Sequence, residues 1–160
     1  MTETPERLSK RMLEEGQKTV DYFRSLATEQ LEIQLYMEGS HWNVCQLLAH
    51  FVSTEIGINK LIVNILDGGS GAPEDFDIDR YNEKKVTENR DLSVDELLER
   101  FIRQRRTNAN LTAGMSLDDL RKKGRHPFLG VVELEDFLKL LYRHNQIHQR
   151  DVRRVLSEAR

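Results

Sequence analysis

Two histidines four residues apart, His144 and His148, could together hold a metal ion. In a helix they would lie about 40° apart on one face, one turn above the other. Apolar residues recur around them at helical spacing, so the pair lies in the stripe expected to face the core. Buried imidazole nitrogens need partners. Either a metal ion or ordinary hydrogen bonds would satisfy them.

A third histidine, His50, lies at the edge of the apolar stripe of a separate helical segment and can point into the same core. Cys45 falls about 140° away on that helix, so we do not expect it to be a ligand. Zinc, nickel, copper and ferrous iron all accept imidazole. Three neutral ligands leave the charge of such an ion uncompensated, with an open position where a bound group loses its proton more easily.

The composition predicts one helical domain spanning residues 1–160, with 38% hydrophobic and 32% charged residues. A net charge of -3 gives no reason to expect a nucleic-acid partner. No apolar run is long enough to span a membrane, and the N-terminal residues lack the apolar stretch of a secretion signal. The single Cys45 cannot form an internal disulfide, so we expect a cytoplasmic protein.

Helical periodicity and capping signals predict four long helices. Thr4, Ser40 and the pair Ser93 and Glu96 are the expected N-terminal caps. Gly16 interrupts the first apolar stripe, as at a point where another helix approaches closely. The expected helices run from Pro5 to about Leu26, His41 to Leu66, Val94 to Met115, and Glu133 to Ser157.

The connections carry weaker signals. Residues 28–40 could contain a short extended piece, and residues 116–132 are a Gly/Pro turn region. Residues 67–92 show no long apolar period, which predicts a crossover that lets the second and third helices run parallel. Phe76 and Tyr81 would then pack against the side of the bundle.

Several polar residues near these segments have two interpretations each. Arg105 and Asn108 continue the line of an apolar face and could line a cavity, although the pattern favours a solvated face. Asp151 could support a metal ligand or pair with a base such as Arg154. Asn82 could touch substrate or cap a turn.

Other candidates are interpreted as peripheral. His41 and His126 are expected at the surface or as caps, and Trp42 as a packing residue. Glu55 falls about 140° from His50, a poor position for a general base beside it.

Four segments resemble the DinB/YfiT-like superfamily. They are residues 41–50 (HWNVCQLLAH), 75–86 (DFDIDRYNEKKV), 124–130 (GRHPFLG) and 141–152 (LYRHNQIHQRDV). The family pattern is a tryptophan that opens the second helix, a histidine eight residues later, and a His-x-x-x-His pair late in the fourth helix. Trp42, His50, His144 and His148 fit every position.

The resemblance implies an all-α four-helix bundle of up-down-down-up order, with a long crossover between helices 2 and 3. It also implies a homodimer and a divalent metal ion (zinc, nickel or iron) on His50, His144 and His148. Better-known relatives use a low-molecular-weight thiol as co-substrate, and others are hydrolases. The resemblance therefore predicts a metal-dependent thiol S-transferase acting on a small electrophile. The alternatives are a metal-binding stress-response or small-molecule-binding module without catalysis, and a hydrolase using metal-activated water.

Overall fold

The computed structural model describes residues 3–159 and contains a bundle of four long helices. The expected all-helical four-helix bundle is thus confirmed, with two short strands added to it. In chain order the elements are α1 (Pro5–Arg24), α2 (Thr28–Leu31), α3 (Val44–Leu66), α4 (Ile78–Glu88), α5 (Val94–Ala113), α6 (Leu117–Leu120), β1 (Lys123–His126), β2 (Gly130–Glu133) and α7 (Leu134–Glu158).

Two of the expected N-terminal caps are present. The Thr4 hydroxyl accepts a hydrogen bond from the backbone N–H of Arg7, and Pro5 opens α1. At the start of α5, Ser93 and Glu96 form a reciprocal capping box. These short side-chain signals therefore determine where both helices begin.

The expected start of the second long helix at His41 is wrong. Helix α3 begins at Val44, and Asn43 rather than Ser40 is its cap, in a capping box with Gln46. The chain before it is held extended instead, because the backbone N–H of Leu35 donates to the carbonyl of Trp42. The extended piece suggested for residues 28–40 corresponds to this pairing, which continues as a bridge between residues 34 and 43.

Contacts between α3 and α5 follow the same order along both helices. Phe51 stacks near Phe101, Glu55 binds Arg105, and further along both helices Asn59 binds Asn108. The two helices are therefore parallel, and the chain between them runs back along the bundle.

The return segment is not the irregular connection that residues 67–92 suggested. It contains α4, which Asp77 caps by accepting from the backbone N–H of Arg80. Helix α4 packs on α3, yet Val86 is its single buried residue. One buried position cannot produce a helical period in the sequence, so the apolar pattern could not reveal this helix. Phe76 and Tyr81 pack together beside α3, with ring centroids 5.3 Å apart.

Residues 116–132, expected as turns, include the short helix α6 and an antiparallel hairpin of β1 and β2. Gly130 opens β2 with φ 79°, a conformation that favours glycine. Gly124 lies against Ile65, where a Cβ atom would come within 2.3 Å of the isoleucine Cδ1. The hairpin can therefore lie directly on α3 and close one end of the bundle.

The bundle has two apolar clusters with a polar layer between them. One cluster includes Phe23, Phe51 and Phe101, and the other includes Met12 and Phe137. The residues between these clusters on α3, α5 and α7 include Glu55, Arg105, Asn108 and Asn145, all at most 2% exposed.

This layer overturns the interpretation of Arg105 and Asn108 as a solvated face, since both are completely buried. Arg105 donates to Glu55, to Asn145 and to the carbonyls of Met12 and Leu141, so it contacts all four long helices. Gly16 leaves room for it, because a Cβ atom there would lie 2.9 Å from the Arg105 Cγ. The close approach expected at Gly16 is thereby confirmed.

Within residues 3–159, no helix is long and apolar enough to cross a membrane.

Candidate metal centre

Three histidine side chains from two helices meet beside the polar layer. His50 projects from α3, while His144 and His148 project from adjacent turns of α7. The Nε2 atom of His144 lies 3.0 Å from that of His50 and 3.0 Å from that of His148. Among the residues that the structure describes, this is the one group of three or more potential ligands close enough to share an ion, with ligand atoms within 4.8 Å of one another.

Aromatic side chains enclose the three imidazoles. The Trp42 ring lies 4.8 Å from that of His50, and the Phe51 ring lies 5.7 Å from that of His144. Burial lowers the pKa of His50 to about 3, helped by the nearby His148, and burial also lowers the pKa of His144 and His148. Low dielectric disfavours the charged ring, so all three imidazoles are neutral near pH 7 and carry a free lone pair.

His148 is oriented by a hydroxyl from the connection before α3. Its Nδ1 lies 2.5 Å from the Tyr36 hydroxyl, which also contacts an Asp151 carboxylate oxygen at 2.7 Å. Tyr36 has one hydroxyl hydrogen and donates it to Asp151, so it accepts a hydrogen bond from His148 Nδ1–H. The lone pair of His148 is therefore on Nε2, where the three rings converge.

Hydrogen bonds alone leave this cluster incompletely satisfied. With the lone pair of His148 on Nε2, a hydrogen on Nε2 of His144 can serve only one of its two neighbours, and a lone pair there would face that of His148. The Nδ1 atoms of His50 and His144 are also buried, with no hydrogen-bond partner in the part of the chain described. A divalent cation accepts three lone pairs at once, and neutral imidazole is its usual nitrogen ligand. The residues therefore fit such an ion, which would keep a position open for a further ligand.

The cluster forms one wall of a cavity of about 470 Å³. Its apolar lining comes from α3, α4, α7 and the hairpin, and its lining carboxylates in residues 3–159 are the exposed Glu38 and Asp79. A metal ion there would lie next to a space large enough for a small molecule. The other lining residues are Tyr36, Ser40, Trp42, His50, Thr54, Ile58, Ile78, Asn82, His126, Phe128, Phe137, Leu140, Leu141, His144, Ile147 and His148.

His126 differs from its expected surface position. It is 5% exposed, lines the cavity and packs on Phe137. Its Nδ1 accepts the backbone N–H groups of Phe128 and Leu129, so the capping part of the expectation is correct. Burial lowers its pKa to about 4, and it is not a member of the converging group. His41 is exposed, as expected.

Glu55 cannot serve as a base at this cluster. Its carboxylate is 1% exposed and accepts hydrogen bonds from Arg105 and Asn108, in the polar layer. The sequence placed Glu55 about 140° from His50 around the helix, which agrees with its position in the polar layer.

Both interpretations of Asp151 hold in part, because its carboxylate accepts a hydrogen bond from Tyr36 and also lies 3.8 Å from Arg154.

The model of the DinB superfamily matches residues 12–152 of the chain. The chain belongs to the DinB superfamily. The resemblance found in the sequence is thereby confirmed over most of its length.

Two solved structures share the fold of this DinB-superfamily chain. YfiT from Bacillus subtilis, described as a probable metal-dependent hydrolase with an unusual four-helix bundle topology, superposes with a TM-score of 0.79. The two are 14% identical, and the match covers 97% of this chain and 87% of YfiT. An uncharacterized protein from Clostridium difficile superposes with a TM-score of 0.75 at 14% identity, covering 96% of each chain. No curated protein matches the chain.

Sequence reasoning missed Tyr36 as part of this centre. It lies 112 residues from His148 in a connection without helical period, so only the tertiary structure brings the two side chains together. A ligating histidine usually donates its other ring N–H to a partner on its outer side, but no spacing rule in the sequence identifies that partner.

The Tyr36→Phe variant is expected to bind a divalent ion 10–100-fold more weakly than the wild type, a typical effect of losing a partner of a ligating histidine. The ring would still pack, but Nδ1 of His148 would lose its acceptor. Competition with a chromogenic chelator measures this affinity. Tyr22→Phe, which changes a ring that lies against Arg153 and outside the cavity lining, is the matched control and should leave the affinity unchanged. Equal affinities for both variants would show that the Tyr36 hydroxyl has no role.

Proposed function

We propose that this protein is a metal-dependent thiol S-transferase, which joins the sulfur of an intact low-molecular-weight thiol to a small electrophile and releases the leaving group of that electrophile. His50, His144 and His148 would hold the divalent ion. The observation that carries the proposal is the convergence of three neutral Nε2 atoms at the wall of a partly open, mainly apolar cavity. When bound, the ion would supply Lewis-acid stabilisation of a thiolate.

The protein groups around the cluster would orient and shield the reactants. Trp42 and Phe51 cover the imidazoles, and most of the cavity wall around them is apolar. Tyr36 keeps the lone pair of His148 directed at the centre. The neutral ligand set leaves a positive charge to attract an anionic thiolate.

The placement of the carboxylates favours a thiol over water as the nucleophile. A thiol with an ordinary pKa near 8.5 needs only a small shift to ionise at neutral pH, whereas free water has a pKa of 15.7. Glu55, the buried carboxylate on the helix of His50, is occupied by Arg105 and Asn108. Thiolate formation makes less demand on a nearby base than water activation does.

Hydrolysis is the second candidate, favoured by the likeness to the fold of YfiT and its description as a probable metal-dependent hydrolase. In this case the same ion would lower the pKa of a bound water. Glu38 or Asp79 at the cavity wall could then accept its proton.

One experiment distinguishes the two candidates. Protein loaded with zinc, nickel or ferrous iron is mixed with a chromogenic aryl halide and, in turn, glutathione, cysteine, coenzyme A and bacterial sugar thiols. A parallel series measures hydrolysis of nitrophenyl esters without thiol. Thiol-dependent turnover that is lost in His144→Ala supports S-transfer, and ester turnover without thiol supports hydrolysis. A protein that binds metal but turns over neither series contradicts both enzymatic proposals and leaves a binding module.

A homodimer remains a proposal that rests on the family resemblance. No support comes from the apolar residues Val44, Leu48 and Ile62 of α3, because they are at most 2% exposed within one chain and are unavailable to a partner. Light scattering at micromolar concentration is expected to give twice the 18.7 kDa chain mass. A monomeric mass would contradict the proposal.

A further inference from the structure

A second cavity adjoins the candidate metal centre. It has a volume of about 260 Å³ and lies between α3, α4 and the segment before α4. Four residues line both cavities: Thr54 and Ile58 on α3, and Ile78 and Asn82 on α4. Each pair is four residues apart and therefore occupies one face of its helix. The two helices thus form a frame that borders both spaces.

One face of α3 leads from the histidines into the second cavity. His50, Thr54 and Ile58 follow at intervals of one helical turn, and Leu61 continues the row. The rise from His50 to Leu61 is about 16 Å. This length suits an extended acyl or alkyl chain.

The wall of the second cavity is mainly apolar beyond the frame. It is formed by Leu61, Ala72, Pro73, Phe76, Tyr81 and Pro127, with Lys60 and Lys85 also on its lining. The Lys85 ammonium pairs with Glu88 and lies over the Tyr81 ring, so the methylene groups of the side chain contribute apolar surface to the cavity lining. Burial of a hydrocarbon chain against such a wall is favourable because it removes apolar surface from water.

A polar side chain without a partner is placed at the frame. The Asn82 side chain makes no hydrogen bond to another described residue, and it does not cap a turn, since it lies inside α4. Its amide can donate to a carbonyl and accept from an N–H. A ligand that extends through both cavities would therefore bring a polar group, such as an ester or amide, next to the Asn82 amide.

We propose that the second cavity is a subsite for the hydrocarbon tail of an elongated substrate, whose polar head lies at the three histidines and whose ester, amide or thioester link lies beside Asn82. The placement of the head rests on the proposed function, whereas the tail subsite rests on the two adjoining cavities and the lining residues that they share. The electrophile of the proposed function would then be one that carries an acyl or long alkyl chain, not a compact polar molecule.

Trp42 provides a direct measure of binding that does not depend on turnover. It is the single tryptophan of the chain, and it lines the first cavity beside His50. The probes are alkyl hydroxamates from acetohydroxamate to laurohydroxamate, whose heads bind metal ions. Each is titrated into zinc-loaded protein, with Trp42 fluorescence as the readout and calorimetry as a second one.

Affinity is expected to rise with chain length, by up to about fourfold for each methylene that becomes buried. In Gly57→Val the rise should stop at the short members, because Gly57 lines only the second cavity and a Cβ atom there lies 3.0 Å from the Tyr81 hydroxyl. Phe76→Ala, which removes one wall, should weaken the long members alone and serves if Gly57→Val does not fold. Val63→Ala, an exposed position on the same helix, is the control and should match the wild type.

An affinity independent of chain length would overturn the subsite, as would an equal rise in the wild type and both cavity variants. The proposed function can be contradicted without contradicting the tail subsite. If chain-length dependence is present but neither thiol transfer nor ester hydrolysis occurs, the subsite stands and the enzymatic proposal does not.

Discussion

Arg105→Met is expected to lower the free energy of unfolding by about 3–5 kcal/mol, the usual effect of removing one partner of a buried ion pair. Arg105 is completely buried, and its Nη2 lies 2.6 Å from an oxygen of Glu55, which is 1% exposed. Methionine fills similar space but leaves the carboxylate without its cation. The arginine also donates to the carbonyls of Met12 and Leu141, so two backbone acceptors lose a partner. Unfolding in urea, monitored by circular dichroism, measures the change in the free energy of unfolding.

Two further variants isolate the cause. Arg106→Met changes the neighbouring, exposed arginine and should alter stability by less than about 0.5 kcal/mol. Adding Glu55→Met to Arg105→Met should recover part of the loss, because no unpaired charge then remains in the core. If Arg105→Met lowers the free energy of unfolding no more than Arg106→Met does, the stabilising role given to the polar layer is wrong.

His148→Ala is expected to remove most of the stabilisation that a divalent ion gives to the folded protein. A ligand at a thousand times its dissociation constant stabilises the folded state by about 4 kcal/mol. Because the proposed site joins α3 to α7 through His50 and the α7 pair, bound metal should raise the melting temperature of the wild type. Calorimetric melting with and without added zinc measures the difference.

His41→Ala is the matched control, since His41 is exposed and precedes the helix that carries His50. Its melting temperature should rise with zinc as much as that of the wild type. The same rise in His148→Ala would contradict the assignment of His148 as a ligand.

The sequence revealed much of the candidate centre because its signals are local. His144 and His148 belong to one helix, and helical periodicity alone placed them on the buried face of α7. His50 could be placed on the inner side of α3 in the same way, although that helix begins three residues later than expected. The error at its start arose because backbone pairing with residues 33–35 holds residues 42 and 43 out of the helix.

The remaining features depend on tertiary contacts. Arg105 and Asn108 looked solvated because charge normally marks an exposed face, and only the buried Glu55 opposite them reverses that rule. Tyr36 contacts His148 across 112 residues of chain. Helix α4 buries a single residue, so its contribution to the cavity walls is absent from the apolar pattern.

The metal content of protein purified without an affinity tag tests the three-histidine centre most directly. Wild type and the triple variant His50→Ala, His144→Ala and His148→Ala are exposed equally to zinc, nickel and ferrous iron, dialysed, and measured by mass spectrometry of the elements. We expect one equivalent of a divalent ion for each wild-type chain and none for the triple variant. One equivalent retained by the triple variant, or none bound by the wild type, would contradict the assignment of His50, His144 and His148 as the ligands.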